Sequence, residues 1–180
     1  MGLTLLLGGA GAGKSSLAVR LAAASGGPVV VVATAEARDE EMAERIRRHR
    51  RERPSDWPTV EESLDLEAAL ASVPKDACAL VDCLTLWVSN LIEEGLTDRN
   101  IEERARTAAS MAAARPAGTV AVTNEVGSGV VPTNPVARRY RDLLGRVNGI
   151  WAEAADRAAL VVAGRVLPLS DPALLGGSGE

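Results

Sequence analysis

Short apolar runs alternate with longer mixed stretches along the chain, and most of the runs are rich in valine. Continuous apolar runs without polar alternation are typical of strands that are buried on both faces of a parallel sheet. Five such strands are predicted, at Leu3–Leu7, Val29–Ala33, Cys78–Val81, Thr119–Thr123 and Leu160–Ala163. Helices are predicted between them, at about Lys14–Ser25, Asp39–Arg51, Leu64–Ala71, Ile101–Arg115 and Pro135–Ala159. The alternation predicts an α/β fold around a mostly parallel central sheet.

The segments between these elements indicate a single domain. Proline, glycine, serine and asparagine mark loops at Arg53–Pro58 and Val126–Pro135, and neither loop has the character of an interdomain linker. We find no internal repeat, so residues 1–175 are predicted to form one domain. The glycine-rich segment Gly176–Glu180 is predicted to be a flexible tail.

Composition narrows the class of protein. The 180 residues are 47% hydrophobic but include only three Trp, one Tyr and no Phe, so Ala, Val and Leu must form the core. The formal net charge is −4, and the lack of a basic excess argues against nucleic acid as a partner. No apolar run is long enough to span a bilayer, and the N-terminal run leads directly into a motif. We therefore expect a cytoplasmic protein without membrane insertion.

Two cysteines and one histidine restrict the metal and redox chemistry. Cys78 and Cys83 are five residues apart in one apolar run, which places them on opposite faces of a strand and argues against a disulfide between them. The chain has no Cys-x-x-Cys pair and no cluster of Cys and His, so a structural zinc site is not expected.

A phosphate-binding motif follows the first predicted strand. It matches Gly-x-x-x-x-Gly-Lys-Ser/Thr in full and consists of Gly8, Gly9, Ala10, Gly11, Ala12, Gly13, Lys14 and Ser15. Backbone N–H groups of such a turn and the N-terminus of the next helix bind phosphate oxygens. Lys14 is predicted to reach the β- and γ-phosphates as a catalytic residue, and Ser15 to ligate Mg²⁺. A chance Gly-Lys-Ser in a strand–helix turn is the alternative, but the flanking strand and helix favour a P-loop.

Polar residues at the ends of two further strands are candidate site residues. Asp82 follows a buried strand, at the sheet edge where α/β proteins bind ligands, and is predicted to contact Mg²⁺ or nucleotide. Its alternative role is to cap the next helix or turn. The segment Thr123-Asn124-Glu125 ends another strand and suits substrate or catalytic contacts, although a surface turn is also compatible with the sequence.

The only histidine, His49, lies in an arginine-rich segment, Arg45–Arg53. Met42, Ile46 and His49 are spaced i, i+4 and i+7, so His49 continues the apolar row of its helix and is predicted to face protein or a site. A neutral imidazole is a competent nucleophile, and guanidinium groups bind polyphosphate. These features suggest nucleotidyl transfer through a histidine intermediate; a solvated basic helix with an incidental histidine is the alternative.

Several short segments, in a distinctive order, support a family assignment. They are Ala33-Thr34-Ala35, Asp39–Met42 with Arg45-Ile46 and His49, Arg53-Pro54 followed by Trp57, Val122–Gly127 with Gly129, Val131 and Pro132, Ala137-Arg138, Tyr140-Arg141-Asp142, and Gly145–Asn148. With the P-loop, these segments resemble the adenosylcobinamide kinase/adenosylcobinamide-phosphate guanylyltransferase family over nearly the whole chain. The resemblance implies a P-loop NTPase-type, RecA-like fold with three layers.

The resemblance also implies two reactions of cobalamin nucleotide-loop assembly. A nucleoside triphosphate, GTP or ATP with Mg²⁺, phosphorylates the aminopropanol hydroxyl of adenosylcobinamide. GTP then transfers GMP to adenosylcobinamide phosphate and releases pyrophosphate. The GMP passes through a histidine phosphoramidate, for which the matching position is His49. The family also assembles as a homotrimer.

Matching positions carry over a set of nucleotide contacts. Besides the P-loop they are Ala33, Thr34, Ala35, Arg50, Arg51, Glu52, Arg53, Glu61 and Asp82. The family commonly has Arg and Ser at the positions of Gly11 and Ala12, and Glu at the position of Asp82. Two other classes remain as alternatives on the residues alone: another small-molecule P-loop kinase with a structural histidine, or a non-enzymatic nucleotide-dependent switch.

Overall fold

Within residues 2–171, which the computed structural model describes, seven strands form one sheet. They are β1 (Leu3–Gly8), β2 (Val29–Ala33), β3 (Thr59–Glu61), β4 (Cys78–Asp82), β5 (Thr119–Val122), β6 (Arg157–Val162) and β7 (Arg165–Leu169). The same residues form six helices: α1 (Lys14–Ala23), α2 (Glu40–Arg51), α3 (Leu66–Ser72), α4 (Leu84–Glu93), α5 (Asp98–Ala113) and α6 (Pro135–Ala154). The predicted α/β class is confirmed.

The sheet order determines which loops meet. The order is β3-β2-β4-β5-β1-β6-β7, and every pair is parallel except β6 with β7. Strand β5 lies between β1, which leads into the P-loop, and β4, which ends at Asp82. Because parallel strands end at the same edge of a sheet, the P-loop, Asp82 and the segment after β5 come together at that edge.

Side chains of the central strands alternate between two cores. Leu5 lies in a core shared with α3, α4, α5 and α6, whereas Leu6 lies in a second core shared with α1. The larger core contains the fully buried Trp87 and Trp151, and the indole N–H of Trp87 donates to the carbonyl of Leu64 at 2.9 Å. Helices therefore cover both faces of the sheet, which confirms the predicted three-layer, P-loop NTPase-type architecture.

The predicted helix Pro135–Ala159 is wrong at its C-terminal end. Helix α6 ends at Ala154, Ala155 is extended, and the chain enters β6 at Arg157 rather than at the predicted Leu160. The carboxylate of Asp156 accepts a hydrogen bond of 2.7 Å from the backbone N–H of Leu3. Pairing with β1 thus overrides the helix propensity of this alanine-rich segment, a tertiary effect that propensity does not include.

Three elements were not predicted. Helix α4 follows Asp82 inside the apolar run Ala77–Val88, with Cys83 at its N-cap and without the side-chain cap that normally marks a helix start. Strand β3 has only three residues. Strand β7 is exposed throughout and contains Pro168, which a strand at the edge of a sheet tolerates.

The sequence also led to predictions about membrane spans, the two cysteines and the C-terminal tail. In the described residues, no helix has both the length and the apolarity that a bilayer crossing requires. Cys78 is buried on β4, whereas Cys83 lies after the strand, at the N-cap of α4, and not on the strand as predicted; both are free thiols. The predicted tail Gly176–Glu180 lies outside the described residues.

Candidate nucleotide-binding and transfer site

The turn after β1 requires glycine where its backbone approaches a neighbouring strand. Gly8 has φ of +154°, and a Cβ added there would lie 2.3 Å from the carbonyl oxygen of Val161 on β6. Gly13, the N-cap of α1, has φ of +96°. Glycine adopts positive φ without the steric cost that other residues incur. Gly11 also has a positive φ, of +71°, so three glycines of the P-loop are favoured by backbone conformation, and at Gly8 the approach of Val161 also excludes a side chain.

Lys14 lies at the centre of the P-loop with its ammonium group directed back at the turn. Its Nζ donates to the carbonyl oxygens of Gly8 at 2.9 Å and Gly9 at 2.6 Å, and the residue is buried. Burial lowers the pKa of Lys14, whereas the nearby Asp82 carboxylate acts in the opposite direction. A phosphate in the turn would exchange these carbonyl contacts for charge-assisted hydrogen bonds, which are stronger.

A cavity of about 240 Å³ lies over the P-loop. Residues Ala10 to Ser15 form its base, and Asp82 and Asn124 contribute the ends of β4 and β5. Arg45 and Arg48 reach it from α2. Guanidinium groups beside a P-loop suit a polyphosphate chain, because they bind phosphate oxygens in a bidentate manner.

A second, larger cavity of about 470 Å³ lies between α2 and the ends of β2 and β3. Its volume is in the range of small-molecule sites. Met42, Ile46 and His49 line it from α2, and these residues are less exposed than their neighbours on the polar faces of the helix. The predicted inward-facing row of α2 is thereby confirmed.

His49 and Asp82 line both cavities. The imidazole Nδ1 of His49 lies 3.4 Å from Oδ2 of Asp82, and both side chains are largely shielded from solvent. This distance is at the long end for a hydrogen bond. The arrangement leaves Nε2 as the other ring nitrogen available to a ligand.

Most of the predicted nucleotide contacts are brought together around these two cavities. Those that line the larger cavity are Ala33, Ala35, Arg50, Arg53, Glu61 and Asp82, and Glu52 lines the P-loop cavity. Arg50 forms an ion pair with Glu61 across the opening between α2 and β3. Burial lowers the pKa of Arg53, and the Asp82 carboxylate opposes that shift.

Two predicted contacts are placed differently. Thr34 is fully buried: its hydroxyl donates to the carbonyl of Cys83 at 2.6 Å and accepts from the N–H of Cys83 at 2.9 Å. Its side chain therefore ties β2 to the end of β4. Arg51 lines neither cavity and pairs with Glu44 on the outer face of α2 at 2.9 Å.

Several residues of the site were not singled out from the sequence. Neither Arg45 nor Arg48 was predicted as a site residue, although they precede His49 by four residues and by one residue and lie beside it on α2. Asn90 is buried on α4, and its amide donates to the carbonyls of Thr34 at 2.9 Å and Ser63 at 3.1 Å. No signal could have indicated Asn90 while α4 itself was missed.

The oxygen donors beside the P-loop fit a magnesium ion. Ser15 contributes a hydroxyl and Asp82 a carboxylate to the same cavity. Mg²⁺ prefers hard oxygen ligands and completes its shell with water and substrate phosphates, so two protein ligands suffice. The described residues contain no group of three or more His, Cys, Asp or Glu that could hold a metal.

Comparison with protein families matches residues 4–169 to the family of cobinamide kinase / cobinamide phosphate guanyltransferase. The chain belongs to this family. The match spans the lining of both cavities and, apart from Leu3, all residues of the seven strands, so the two cavities are those of a family member. The predicted enzyme class, a nucleotide-using kinase and guanylyltransferase, agrees with the two activities in the family's name.

Three curated relatives are similar over almost their full length. The chain is 44% identical to the bifunctional adenosylcobalamin biosynthesis protein CobP of Pseudomonas aeruginosa, over 92% of this chain and 95% of the relative. It is 38% identical to the bifunctional adenosylcobalamin biosynthesis protein CobU of Escherichia coli K12 and 37% identical to that of Salmonella typhimurium, in both cases over 90% of this chain and 96% of the relative.

Proposed function

We propose that this protein is a bifunctional transferase of cobalamin biosynthesis. It phosphorylates adenosylcobinamide with a nucleoside triphosphate and then transfers GMP from GTP to adenosylcobinamide phosphate. One observation carries this proposal beyond a generic P-loop kinase: the only histidine of the chain, His49, lines both the P-loop cavity and the larger cavity beside it. In a simple kinase this imidazole would have only a structural role.

In the kinase step, the aminopropanol hydroxyl of adenosylcobinamide attacks the γ-phosphorus of GTP or ATP. The bond between the γ-phosphorus and the β–γ bridging oxygen breaks, the nucleoside diphosphate leaves, and the hydroxyl proton passes to solvent or to the leaving nucleoside diphosphate. The P-loop N–H groups and Lys14 hold the β- and γ-phosphates and balance the charge that develops on them. Mg²⁺ held by Ser15 and Asp82 would neutralise part of the same charge.

In the transferase step, an imidazole nitrogen of His49 attacks the α-phosphorus of GTP. A P–N bond forms, the bond to the β-phosphate oxygen breaks, and pyrophosphate leaves. A phosphate oxygen of adenosylcobinamide phosphate then attacks the same phosphorus, the P–N bond breaks, and the imidazole is restored with GMP now on the acceptor. Because Nδ1 faces Asp82, we assign Nε2 as the nucleophile.

The arginines around His49 suit the leaving group of this step. Arg45 and Arg48 line the P-loop cavity and Arg50 and Arg53 line the larger one, so pyrophosphate leaving from either side meets a guanidinium group. Such fixed cations stabilise charge that develops during the transfer.

The proposal includes a cellular setting. We expect a cytoplasmic enzyme, an expectation that two free cysteines support because reducing compartments keep thiols unpaired. We also expect a homo-oligomer, a trimer by resemblance to the family, with adenosylcobinamide and its phosphate as the substrates besides nucleotide.

Intact-protein mass spectrometry tests the transferase half. After incubation with GTP and Mg²⁺, wild-type protein should carry a GMP-sized adduct that acid removes, because P–N bonds of this type are acid-labile. His49→Ala should carry none, while still binding GTP. Lys75→Ala, a change at an exposed lysine far from the motif, serves as the control and should label like wild type. The absence of an adduct on folded, GTP-binding wild-type protein would rule out the guanylyl intermediate.

A further inference from the structure

Asn124, the second residue after β5, lies between the P-loop and the acid at the end of β4. Val122, the last residue of β5, is opposite Asp82 in the register with β4. On the other side, the backbone N–H of Glu125 donates to the carbonyl of Gly8 at 3.1 Å. The residues on either side of Asn124 are thus attached to β4 and to the P-loop, and Asn124 itself lines the P-loop cavity.

Buried side chains from two helices fix the backbone of Asn124. Its N–H donates to the hydroxyl of Thr85 on α4 at 2.7 Å, and its carbonyl accepts from the amide of Asn148 on α6 at 3.0 Å. The amide oxygen of Asn148 accepts in turn from the hydroxyl of Thr123 at 2.7 Å. Thr85, Thr123 and Asn148 are all buried. Burying their polar groups would cost free energy if any of them lacked a hydrogen-bond partner, so the network favours this single arrangement.

The side chain of Asn124 takes no part in the network. Within residues 2–171, every hydrogen bond of Asn124 is made by its backbone, and its carboxamide is bonded to no protein group. A carboxamide offers two N–H donors and an acceptor oxygen. The fold thus holds one residue rigidly by its main chain and leaves its polar side chain at the phosphate cavity beside Lys14 and Ser15.

We propose that Asn124 is a catalytic residue of the kinase step, whose carboxamide N–H groups donate to the γ-phosphoryl oxygens during transfer, and that Thr85 and Asn148 are its positioning residues. The inference rests on the proposed function. A donor that is held in place before the reaction stabilises developing charge without a reorganisation cost. The hydrogen bonds of Thr85 and Asn148 with the backbone of Asn124, here called the backbone clamp, supply that rigidity.

The position of Asn124 predicts an effect on one half-reaction only. Asn124 lines the P-loop cavity but not the larger cavity, whereas His49 lines both. The γ-phosphoryl group reacts in the kinase step and leaves intact, as part of pyrophosphate, in the transferase step. Loss of the Asn124 donors should therefore lower phosphorylation of adenosylcobinamide and spare the formation of the His49–GMP adduct.

Kinase kinetics and adduct formation, measured on the same preparations, test the inference. Asn124→Ala should lower the kinase kcat about 10²-fold, the loss typical of one such donor, with a smaller change in KM. The isosteric Asn124→Asp should lose at least as much, because a carboxylate donates nothing and repels phosphate. A purely structural residue would tolerate Asp. Asn100→Ala, at an exposed asparagine of α5, is the matched control.

The positioning residues have their own test. Thr85→Val removes the acceptor for the Asn124 N–H and should lower the kinase kcat more than it changes KM, whereas Thr85→Ser keeps the hydroxyl and should restore most of the rate.

The substitutions at Asn124 leave the clamp intact, since it uses only the backbone of that residue. Their melting temperatures should therefore remain near that of wild type.

Each outcome decides the matter. A kinase kcat of Asn124→Ala within about threefold of wild type would overturn the inference and leave the proposed function intact. Equal losses of kinase activity and of the His49 adduct would also overturn it, because the effect would then be general. If wild-type protein shows neither activity, the proposed function fails, and the inference fails with it.

Discussion

Gly8 and Gly9 are neighbours in one motif, yet the packing of the sheet constrains only the first. A Cβ at Gly8 would approach the carbonyl oxygen of Val161 to 2.3 Å at a positive φ, whereas a Cβ at Gly9 would meet nothing within 4 Å. We expect Gly8→Ala to cost about 2 kcal/mol or more, through strain and displacement of β6. That loss corresponds to a fall in Tm of roughly 4–8 °C for a chain of this size.

Thermal unfolding of the two variants side by side checks this expectation. Gly9→Ala should unfold near the wild-type temperature. Equal Tm values for Gly8→Ala and Gly9→Ala would show that β6 moves aside at little cost, contrary to the packing described here.

At the scale of single residues, sequence reasoning located side chains that belong to a repeating pattern. His49 was placed on the inner face of α2 because Met42 and Ile46 precede it at helical spacing. The resemblance gave Thr34 and Arg51 as contacts without distinguishing inward from outward side chains. The hydroxyl of Thr34 bonds the backbone of Cys83, a residue 49 positions away, and no local pattern encodes such a partner.

At the scale of elements, the junction between α6 and β6 depends on one carboxylate. Asp156 accepts from the N–H of Leu3 and so joins the start of β6 to the start of β1. Asp156→Ala should lower the free energy of unfolding by about 1–2 kcal/mol, because that N–H loses its partner. Asp156→Asn keeps an acceptor oxygen and should lose less.

Urea unfolding of these variants measures the effect, with Glu153→Ala, an exposed change on the last turn of α6, as the control. A midpoint for Asp156→Ala that matches the control would mean that water replaces the carboxylate without loss. The order we expect from least to most stable is Asp156→Ala, Asp156→Asn, then wild type.

A helix or strand could be predicted where the sequence itself carries a clear apolar periodicity or a capping residue. Helix α5 has a Thr97 cap and a clear inner row; the prediction missed its first turn and ran two residues past its end at Ala113. Helix α4 is apolar on most sides and follows a strand without a break, so periodicity could not separate it from β4. That miss also concealed Thr85 and Asn90, the polar residues through which α4 supports the site.

At the scale of the whole molecule, the P-loop couples nucleotide binding to stability. A ligand that binds only the folded state adds about 2.7 kcal/mol at a concentration of 100 times its Kd. For this chain length, GTP with Mg²⁺ should therefore raise Tm by roughly 5–10 °C. Lys14→Ala should abolish most of that rise, since it removes the cation that faces the phosphates.

A thermal-shift titration checks the coupling, with Lys75→Ala as a lysine control distant from the P-loop. Chelation of Mg²⁺ with EDTA should reduce the shift in wild type if Ser15 and Asp82 hold the ion together with the phosphates. A full GTP-induced shift in Lys14→Ala would remove Lys14 from the nucleotide site.

The fold class could be predicted from the sequence because it depends on the order of whole strands and helices and not on single residues. Valine-rich runs such as Val29–Ala33, separated by helices, are compatible with few architectures, and a P-loop after the first run narrows them further. Strand order was not accessible from the residues, because it depends on pairings between distant segments. The position of β5 beside β1, which brings Asn124 to the P-loop cavity, could be seen only in three dimensions.

The sheet order has a consequence for synthesis on the ribosome. Strand β1 emerges first, but its two neighbours in the sheet begin at Thr119 and Arg157. The P-loop therefore has no lateral support until β5 has been translated, and closing such long loops makes parallel sheets slow to form. A nascent chain that ends before β6 lacks Val161, against which Gly8 packs, so the nucleotide cradle is completed only after β6 has been translated.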